Sequence, residues 1–355
     1  MKQLCAGVDV SAASLEVAWR GKDGRIVRRT VRNDVTGHRA LIKELRRAGS
    51  GAPVRVAMEA TGIYGLDLAV ALDGAEGVEV MVANPRVIAN FGKALLQRSK
   101  TDVLDAETIL MFVERMPFIA WHSPSAAALQ LRAIARRIAA LTKMASGEKT
   151  RRRHAAASEV IGTLLERSAR QTAALLEREI AKLRKAALAL IAADTQLARR
   201  MSLLTSIKGI GEVSAVQILA ELMLLPADMT DRQWVAHAGL DPRLFESGSS
   251  VRARTRISKA GNHYLRASLY LPALVASRYE PNVKAFREHL SARGKRPKSI
   301  IVAVMRKLLH AIHAMFRNDA LFDGTKFYRS TPAPVAATSG IPPSAIFEVS
   351  SALSS

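Results

Sequence analysis

Through the first 115 residues, apolar side chains recur at period two, then at spacings of three and four, then at two again. That succession narrows the folds open to the chain more than any other feature. Ala6-Gly7-Val8-Asp9-Val10 is an apolar run holding one acid, and Leu15-Glu16-Val17-Ala18-Trp19 alternates. A third strand runs from Ile26-Val27 to Val31, with turns at Ser11-Ala12-Ala13 and Lys22-Asp23-Gly24. Residues 37–47 have helical spacing. Val54-Arg55-Val56-Ala57-Met58 is a fourth strand with Glu59 at its C-terminal end. After Ala60-Thr61-Gly62 a helix is predicted near 66–72. Val78-Glu79-Val80-Met81-Val82 is a fifth strand, closed by Asn84-Pro85.

Three antiparallel strands, followed by two that alternate with helices, describe a ribonuclease-H-like α/β domain. In that topology the first strand, the end of the fourth and the last helix meet at one sheet edge. Asp9, Glu59 and the pair Asp102 and Asp105 occupy those places. Asp102 and Asp105 are three apart and open an apolar-periodic segment, Ile109-Leu110-Met111-Val113, so a helix stacks them on one face. Acids in a first helical turn also complement the helix dipole, and that reading stays open for these two. A charge inside a strand such as Asp9 is costly unless paired or bound to a cation. Carboxylates without Cys or His suit Mg²⁺ or Mn²⁺, which stabilise charge on a phosphate as it is cleaved.

The charge balance points to a polyanion. Lys and Arg total 53 against 31 Asp and Glu, a net charge of +22, spread along the chain. Nucleic acid is the first candidate partner and an anionic membrane surface the second. No segment is expected to be long and apolar enough to span a bilayer, and the N-terminus lacks a signal-peptide layout. One cysteine, Cys5, forms no internal disulfide, which fits a reducing cytoplasm. The His and Cys residues form no zinc pattern; His310 and His313 share a helix face and are read as helix packing.

Residues 121–200 read as a second region, nearly free of Gly and Pro from 125 onward and helical in period. Leu129, Leu131, Ile134, Ile138 and Leu141 mark one stripe; Leu164, Leu165, Leu175, Leu176, Ile180, Leu183, Leu188 and Leu190 mark another. Long antiparallel helices or a coiled coil that dimerises are expected. Lys149-Thr150-Arg151-Arg152-Arg153-His154 is either a solvated helix face or a phosphate contact.

Residues 201–329 form a third, mainly helical region. Lys208-Gly209-Ile210-Gly211 resembles a helix-hairpin-helix turn, where glycines admit a phosphate to the N–H groups of the next helix. Farther on, Glu246-Ser247-Gly248-Ser249-Ser250 precedes Arg252, Arg254, Arg256 and Lys259. In an extended segment the three arginines point one way and can grip a phosphate. From these residues alone the segment reads as a Ser/Gly turn beside a phosphate-binding strand. Asn262 is placed to cap the next helix, and residues 330–355 read as a Ser/Pro/Ala-rich disordered tail.

Taken together, Asp9, Glu59, Asp102 and Asp105, the helical middle, the Lys208–Gly211 turn and the Ser247 to Asn262 segment resemble the transposases of the insertion sequence 110 family. The resemblance implies a RuvC-like metal-binding domain over 1–120, a coiled-coil region over 121–200 and a transposase domain over 201–329. It implies that the four acids hold a divalent metal and that a serine, best matched by Ser247 with Ser249 and Ser250 nearby, attacks DNA to form a phosphoserine. It implies a guide RNA, donor and target DNA as partners, and a dimer or tetramer whose active site combines acids and serine from different protomers. Consistent with chemistry that needs no ATP, no Walker-type loop is present. Two further readings are a RuvC-like junction nuclease using activated water, and a non-enzymatic nucleic-acid binder.

Overall fold

A computed structural model describes residues 3–60, 62–95, 102–157, 162–243, 246–247, 251–252 and 256–329; the side chains of 102–104, 246–247 and 251–252 lie outside the described set. The expected tail, 330–355, is also outside it. The chain divides into two compact units, Met1–Ala126 and Ala127–Ser355.

In the first unit the strands are β1 (Leu4–Val10), β2 (Ser14–Arg20) and β3 (Ile26–Arg32). Helix α1 (Val35–Ala48), β4 (Val54–Glu59), α2 (Leu66–Asp73), β5 (Val78–Ala83), α3 (Pro85–Ala94) and α4 (Asp102–Arg115) follow. The sheet order is β3-β2-β1-β4-β5. The β1–β2 and β2–β3 pairs are antiparallel, and β4 runs parallel to both β1 and β5. That is the ribonuclease-H-like arrangement, and it follows from chain economy. Short turns allow the first three strands to fold back on each other, whereas parallel neighbours need the crossovers that α1 and α2 supply.

The sheet is buried on both faces. Val8, Leu15, Val17, Val56 and Met58 pack against Leu41 and Leu45 of α1 and Leu68 and Leu72 of α2. The opposite face sets Ala18, Ala57 and Met81 against Ala106, Ile109, Leu110 and Val113 of α4. Two-sided burial explains why β1 and β4 read as near-continuous apolar runs.

The second unit opens with two long helices, α5 (Ala126–Ala156) and α6 (Gly162–Ala193). They run antiparallel, with Ile138, Leu141 and Ala145 of α5 against Leu176 and Ile180 of α6, and Lys149 bound to Glu177 at 2.6 Å. Toward the other end Leu131, Ala135, Ala187 and Ile191 enter the main core. That core is built by α7 (Thr195–Thr205), α8 (Glu212–Leu222), α9 (Asp231–His237), α10 (His263–Tyr279), α11 (Pro281–Ala292), α12 (Pro297–Asn318) and α13 (Gly324–Phe327). Between α9 and α10 lie the two-residue strands β6 (Pro242–Arg243), β7 (Glu246–Ser247), β8 (Val251–Arg252) and β9 (Arg256–Ile257).

One expectation needs correction. By length and composition, α12 is apolar enough to cross a membrane. Its apolarity has another use: Val304, Leu308, Leu309 and Ile312 are fully buried at the centre of the second unit. A helix surrounded by others is apolar on several faces for the same reason as a membrane span. His310 and His313 of α12 serve packing, through hydrogen bonds to Asp231 at 2.7 Å and to the Met229 carbonyl at 2.9 Å.

Candidate active site

The acid edge of the first unit is organised by Gly7. A side chain there would meet the backbone of α4, 2.3 Å from the Leu110 nitrogen and 2.4 Å from the Ala106 oxygen. Only glycine admits a helix this close to a strand. Asp9 is two residues farther along β1 and so stands on the same face. On the parallel neighbour, Ala57 pairs with Gly7 and packs in the α4 cluster, which puts Glu59 on that face too. Asp9 and Glu59 each follow by one residue the last registered pair, Val8 and Met58. Asp105 adjoins Ala106, the α4 residue that rests on Gly7. Asp102 is the first residue of α4, and its side chain lies outside the described set.

Asp9, Glu59 and Asp105 are all half-buried. Among the described residues, no three His, Cys, Asp or Glu side chains approach closely enough to hold a metal ion. The three visible acids therefore do not close a cage by themselves. Their chemistry, carboxylate oxygen only, fits a hard divalent ion.

Other acids of this face have different work. Arg20 of β2 donates twice to Glu114, at 2.7 and 3.2 Å, and Arg28 of β3 donates to Glu107 at 2.5 Å. These pairs tie α4 to the sheet and keep it in register over Gly7. Glu16, which the sequence analysis did not single out, stands directly opposite Asp9 and accepts from the Thr30 hydroxyl at 2.9 Å.

In the second unit, Gly209 and Gly211 divide the hairpin's labour. Gly209 has φ +118°, and a side chain there would lie 2.7 Å from the Ala276 nitrogen of α10. Its bare face is used against a helix. Gly211 begins α8 with open space around it, and Lys208 beside it is exposed.

The Ser/Arg segment is rooted between β6 and β9, where Pro242 pairs with Ile257 and Arg243 with Arg256. The Ser258 hydroxyl donates to Asp241 at 2.5 Å and closes the root. Ser247 and Arg252 belong to a separate ladder, β7 with β8. The expectation of one extended run bearing Arg252, Arg254 and Arg256 thus resolves, where described, into strands of two ladders. Arg254, Gly248, Ser249 and Ser250 lie outside the described residues. Arg256 and Lys259 are exposed, the latter with φ +53°.

Beneath this root is a polar cluster no motif announces. Glu221 of α8, 4% exposed, receives Arg136 of α5 in bidentate fashion at 2.8 and 2.9 Å. Asn262 adds a third hydrogen bond at 2.6 Å, while its own Oδ1 caps α10 through Tyr264 and Leu265. The Asn262 N–H donates to the His237 carbonyl at 2.6 Å. Burial pushes the Glu221 carboxyl up, but donation from Arg136 and Asn262 and the charges of Arg136 and Arg132 outweigh it, so its pKa is lowered. Burial lowers His237 below its usual value, with Glu221 acting in the opposite direction.

Comparison with known proteins adds the lineage. Residues 201–288 match the family described as "Transposase IS116/IS110/IS902 family", and residues 6–160 match the DEDD transposase model of the IS110 group, described as "Transposase". The pilin gene-inverting proteins of Moraxella bovis and Moraxella lacunata are each 29% identical over 247 residues, 69% of this chain and 74% of theirs. An uncharacterized 43.6 kDa protein of insertion element IS110 from Streptomyces coelicolor is 29% identical over 136 residues, 37% of this chain and 31% of its own.

Proposed function

We propose a function from one premise: this chain belongs to the IS110 family of transposases. On that footing it is a DNA recombinase that cleaves and rejoins donor and target DNA through a covalent phosphoserine, guided by a structured RNA. The Moraxella relatives are named for inverting a gene, which accords with cleavage and rejoining of DNA.

The observation that supports the reading best is the common face shared by Asp9, Glu59 and the start of α4. Asp9, Glu59, Asp102 and Asp105 would hold Mg²⁺ or Mn²⁺. Such an ion, when bound, supplies positive charge to phosphate oxygens during cleavage. Ser247 is the nucleophile in this reading. Its Oγ forms a bond to phosphorus, the bond to one sugar oxygen breaks, and the serine proton leaves with that oxygen as a hydroxyl. The phosphoserine keeps the bond energy of the diester, so the reverse attack by another strand end rejoins DNA without ATP. Lys208, Gly209, Gly211, Arg252, Arg254, Arg256 and Lys259 contribute to the nucleic-acid surface, Gly209 by seating the hairpin on α10. Base pairing with the RNA chooses sequence, and the protein reads backbone and shape.

The domain plan proposed is a RuvC-like domain over 1–120, a dimerising coiled coil over 121–200 and a transposase domain over 201–329. Leu164, Leu165 and Leu175 of α6 are more than half exposed, which supports association of copies through that helix into a dimer or tetramer. The site of action is the nucleoid of a prokaryotic cytoplasm.

The test is a denaturing gel of cleavage reactions. Wild type yields protein-linked DNA, Ser247→Ala yields none yet still binds RNA, and Asp9→Ala or Asp102→Ala stops cleavage with the fold intact. Adducts in Ser247→Ala, or full cleavage in EDTA, refute the mechanism. Because the acid edge is built entirely by the first unit, a junction nuclease using activated water is the second reading. Cleavage without any protein-linked DNA in wild type would select it.

A further inference from the structure

The loop between β4 and α2 carries the one exposed aromatic ring of the first unit. Trp19, Phe91, Phe112, Phe118 and Trp121 are buried or half-buried there, whereas Tyr64 is 56% exposed and its neighbour Ile63 75%. Among the described residues, nothing bonds to the Tyr64 hydroxyl or packs ring to ring against it. The fold uses its main chain instead. The Tyr64 carbonyl accepts from the Asn33 side-chain amide at 3.0 Å, and the same amide donates to the Ser11 carbonyl at 2.8 Å. The loop is thereby moored to the turn after β1. At its start the Ala60 N–H donates to the Ala83 carbonyl of β5 at 3.0 Å, and at its end the Leu66 N–H donates to the Ile63 carbonyl at 3.3 Å. A held backbone thus presents the ring to solvent.

Its place is the edge where the acids lie. Strands β1, β3, β4 and β5 run in one direction and β2 in the other, so the C-terminal ends of those four share one edge of the sheet. Asp9 and Glu59 are at that edge, and so are exposed Val35 at the start of α1 and exposed Val87 in the first turn of α3. Arg86, beside Val87, is exposed and pairs with no acid among the described residues. A cation in a first helical turn opposes the helix dipole, so helix stability gives no reason for it. An aromatic face, an apolar rim and an unpaired guanidinium suit a nucleic-acid strand. Every base has a flat face to stack on a ring, and the backbone phosphate takes the cation.

We propose that Tyr64 is a stacking platform for an unpaired nucleobase of the strand that passes the acid edge. This rests on the reading of that edge as the place of DNA cleavage. Stacking needs a base with one face uncovered, so the platform prefers a single strand to a closed duplex. The preference is for an open strand and not for a sequence, because the ring offers no hydrogen-bond code. Tyrosine suits the task, having a rigid ring on two rotatable bonds and little freedom to lose. The base belongs either to DNA or to the guide RNA; the stacking chemistry is the same for both.

The experiment labels the full chain with fluorotyrosine and follows the Tyr64 line by fluorine NMR, identifying it by its absence in Tyr64→Phe. The probes are a short oligothymidylate, the oligouridylate of equal length and a blunt DNA duplex, added in EDTA so that none is cut. The Tyr64 line is expected to shift with a single strand and to stay in place with saturating duplex; the single strand that moves it further identifies the source of the base. Affinities are measured by fluorescence anisotropy at raised salt, which suppresses binding by charge alone. Tyr64→Leu keeps an apolar side chain and the backbone bonds, and is expected to weaken the single strand about 5-fold or more, whereas Tyr64→Phe binds within about 2-fold of wild type. Both variants should melt at the wild-type temperature, since the side chain has no partner in the fold. A Tyr64 line unmoved by either single strand, or equal binding by Tyr64→Leu and Tyr64→Phe, overturns the platform. So does a line that moves with protein concentration alone, which would assign the loop to a protein contact. Cleavage assays separate the two layers. If Asp9→Ala abolishes cleavage while Tyr64→Leu binds and cleaves as wild type, the platform alone fails. If Asp9→Ala cleaves as wild type, the cleavage reading of the edge fails and the platform with it.

Discussion

Replacing Arg136 by Met tests how the second unit is held together. Glu221 is almost wholly buried and accepts three hydrogen bonds, two of them from Arg136. Removing the guanidinium leaves a buried carboxylate with one donor, Asn262. Breaking a buried ion pair from one side costs about 3–5 kcal/mol, mostly because the remaining charge is stranded. The Arg136 side chain is 40% exposed, and water can reach its place, so the lower end, about 3 kcal/mol, is expected. Glu221→Gln keeps shape and removes charge, and should cost less, about 1–3 kcal/mol. The double change Arg136→Met with Glu221→Leu should cost less than Arg136→Met alone, since no charge is left unpaired.

Trp234 is the only tryptophan of the second unit, so urea melts followed by fluorine NMR of fluorotryptophan-labelled protein isolate this region from the other. Acid sensitivity gives an independent check. The folded-state pKa of Glu221 is lowered, so its contribution is present above the unfolded carboxylate value and is lost as pH falls through the folded one. His237 is also lowered. Its contribution fades first, as pH drops below about 6.5 toward its folded value. Glu221→Gln should erase the more acidic loss and keep the one near neutrality. A cost under about 1 kcal/mol for Arg136→Met, or an unchanged acid profile in Glu221→Gln, would refute the assignment.

Three further outcomes are expected. Gly7→Val forces α4 off β1 and should cost at least the 1–3 kcal/mol typical of overpacking, read by thermal melting, with loss of DNA cleavage; a stable, active variant would contradict the close approach. Gly211→Ala, in open space at φ −81°, should change stability by less than about 0.5 kcal/mol, whereas Gly209→Ala should cost more than about 1 kcal/mol; equal melting temperatures would undo this division. Leu164→Glu with Leu165→Lys on α6 should shift the chain toward monomer in sedimentation without lowering its melting temperature; an unchanged assembly state would move the dimer contact elsewhere.

How much of this was legible beforehand follows from the range of each interaction. The strand and helix order of the first unit came from period two against period 3.6, which are properties of neighbours along the chain. The cap at Asn262 was readable for the same reason. Asp9, Glu59 and the α4 acids could be nominated because the topology, once recognised, brings their elements together.

What only the tertiary structure decided is which like residues do unlike things. Glu107 and Glu114 bind arginines while Asp105 sits beside Gly7's contact with α4, and nothing in their local sequence separates them. Gly209 is spent on helix packing and Gly211 is not. Glu221 reads as an ordinary polar residue of a helix until Arg136, 85 residues earlier, is found against it. Partners of that kind are set by the meeting of distant elements, where desolvation makes a matched charge worth keeping and an unmatched one intolerable. No periodicity in the chain records such a meeting.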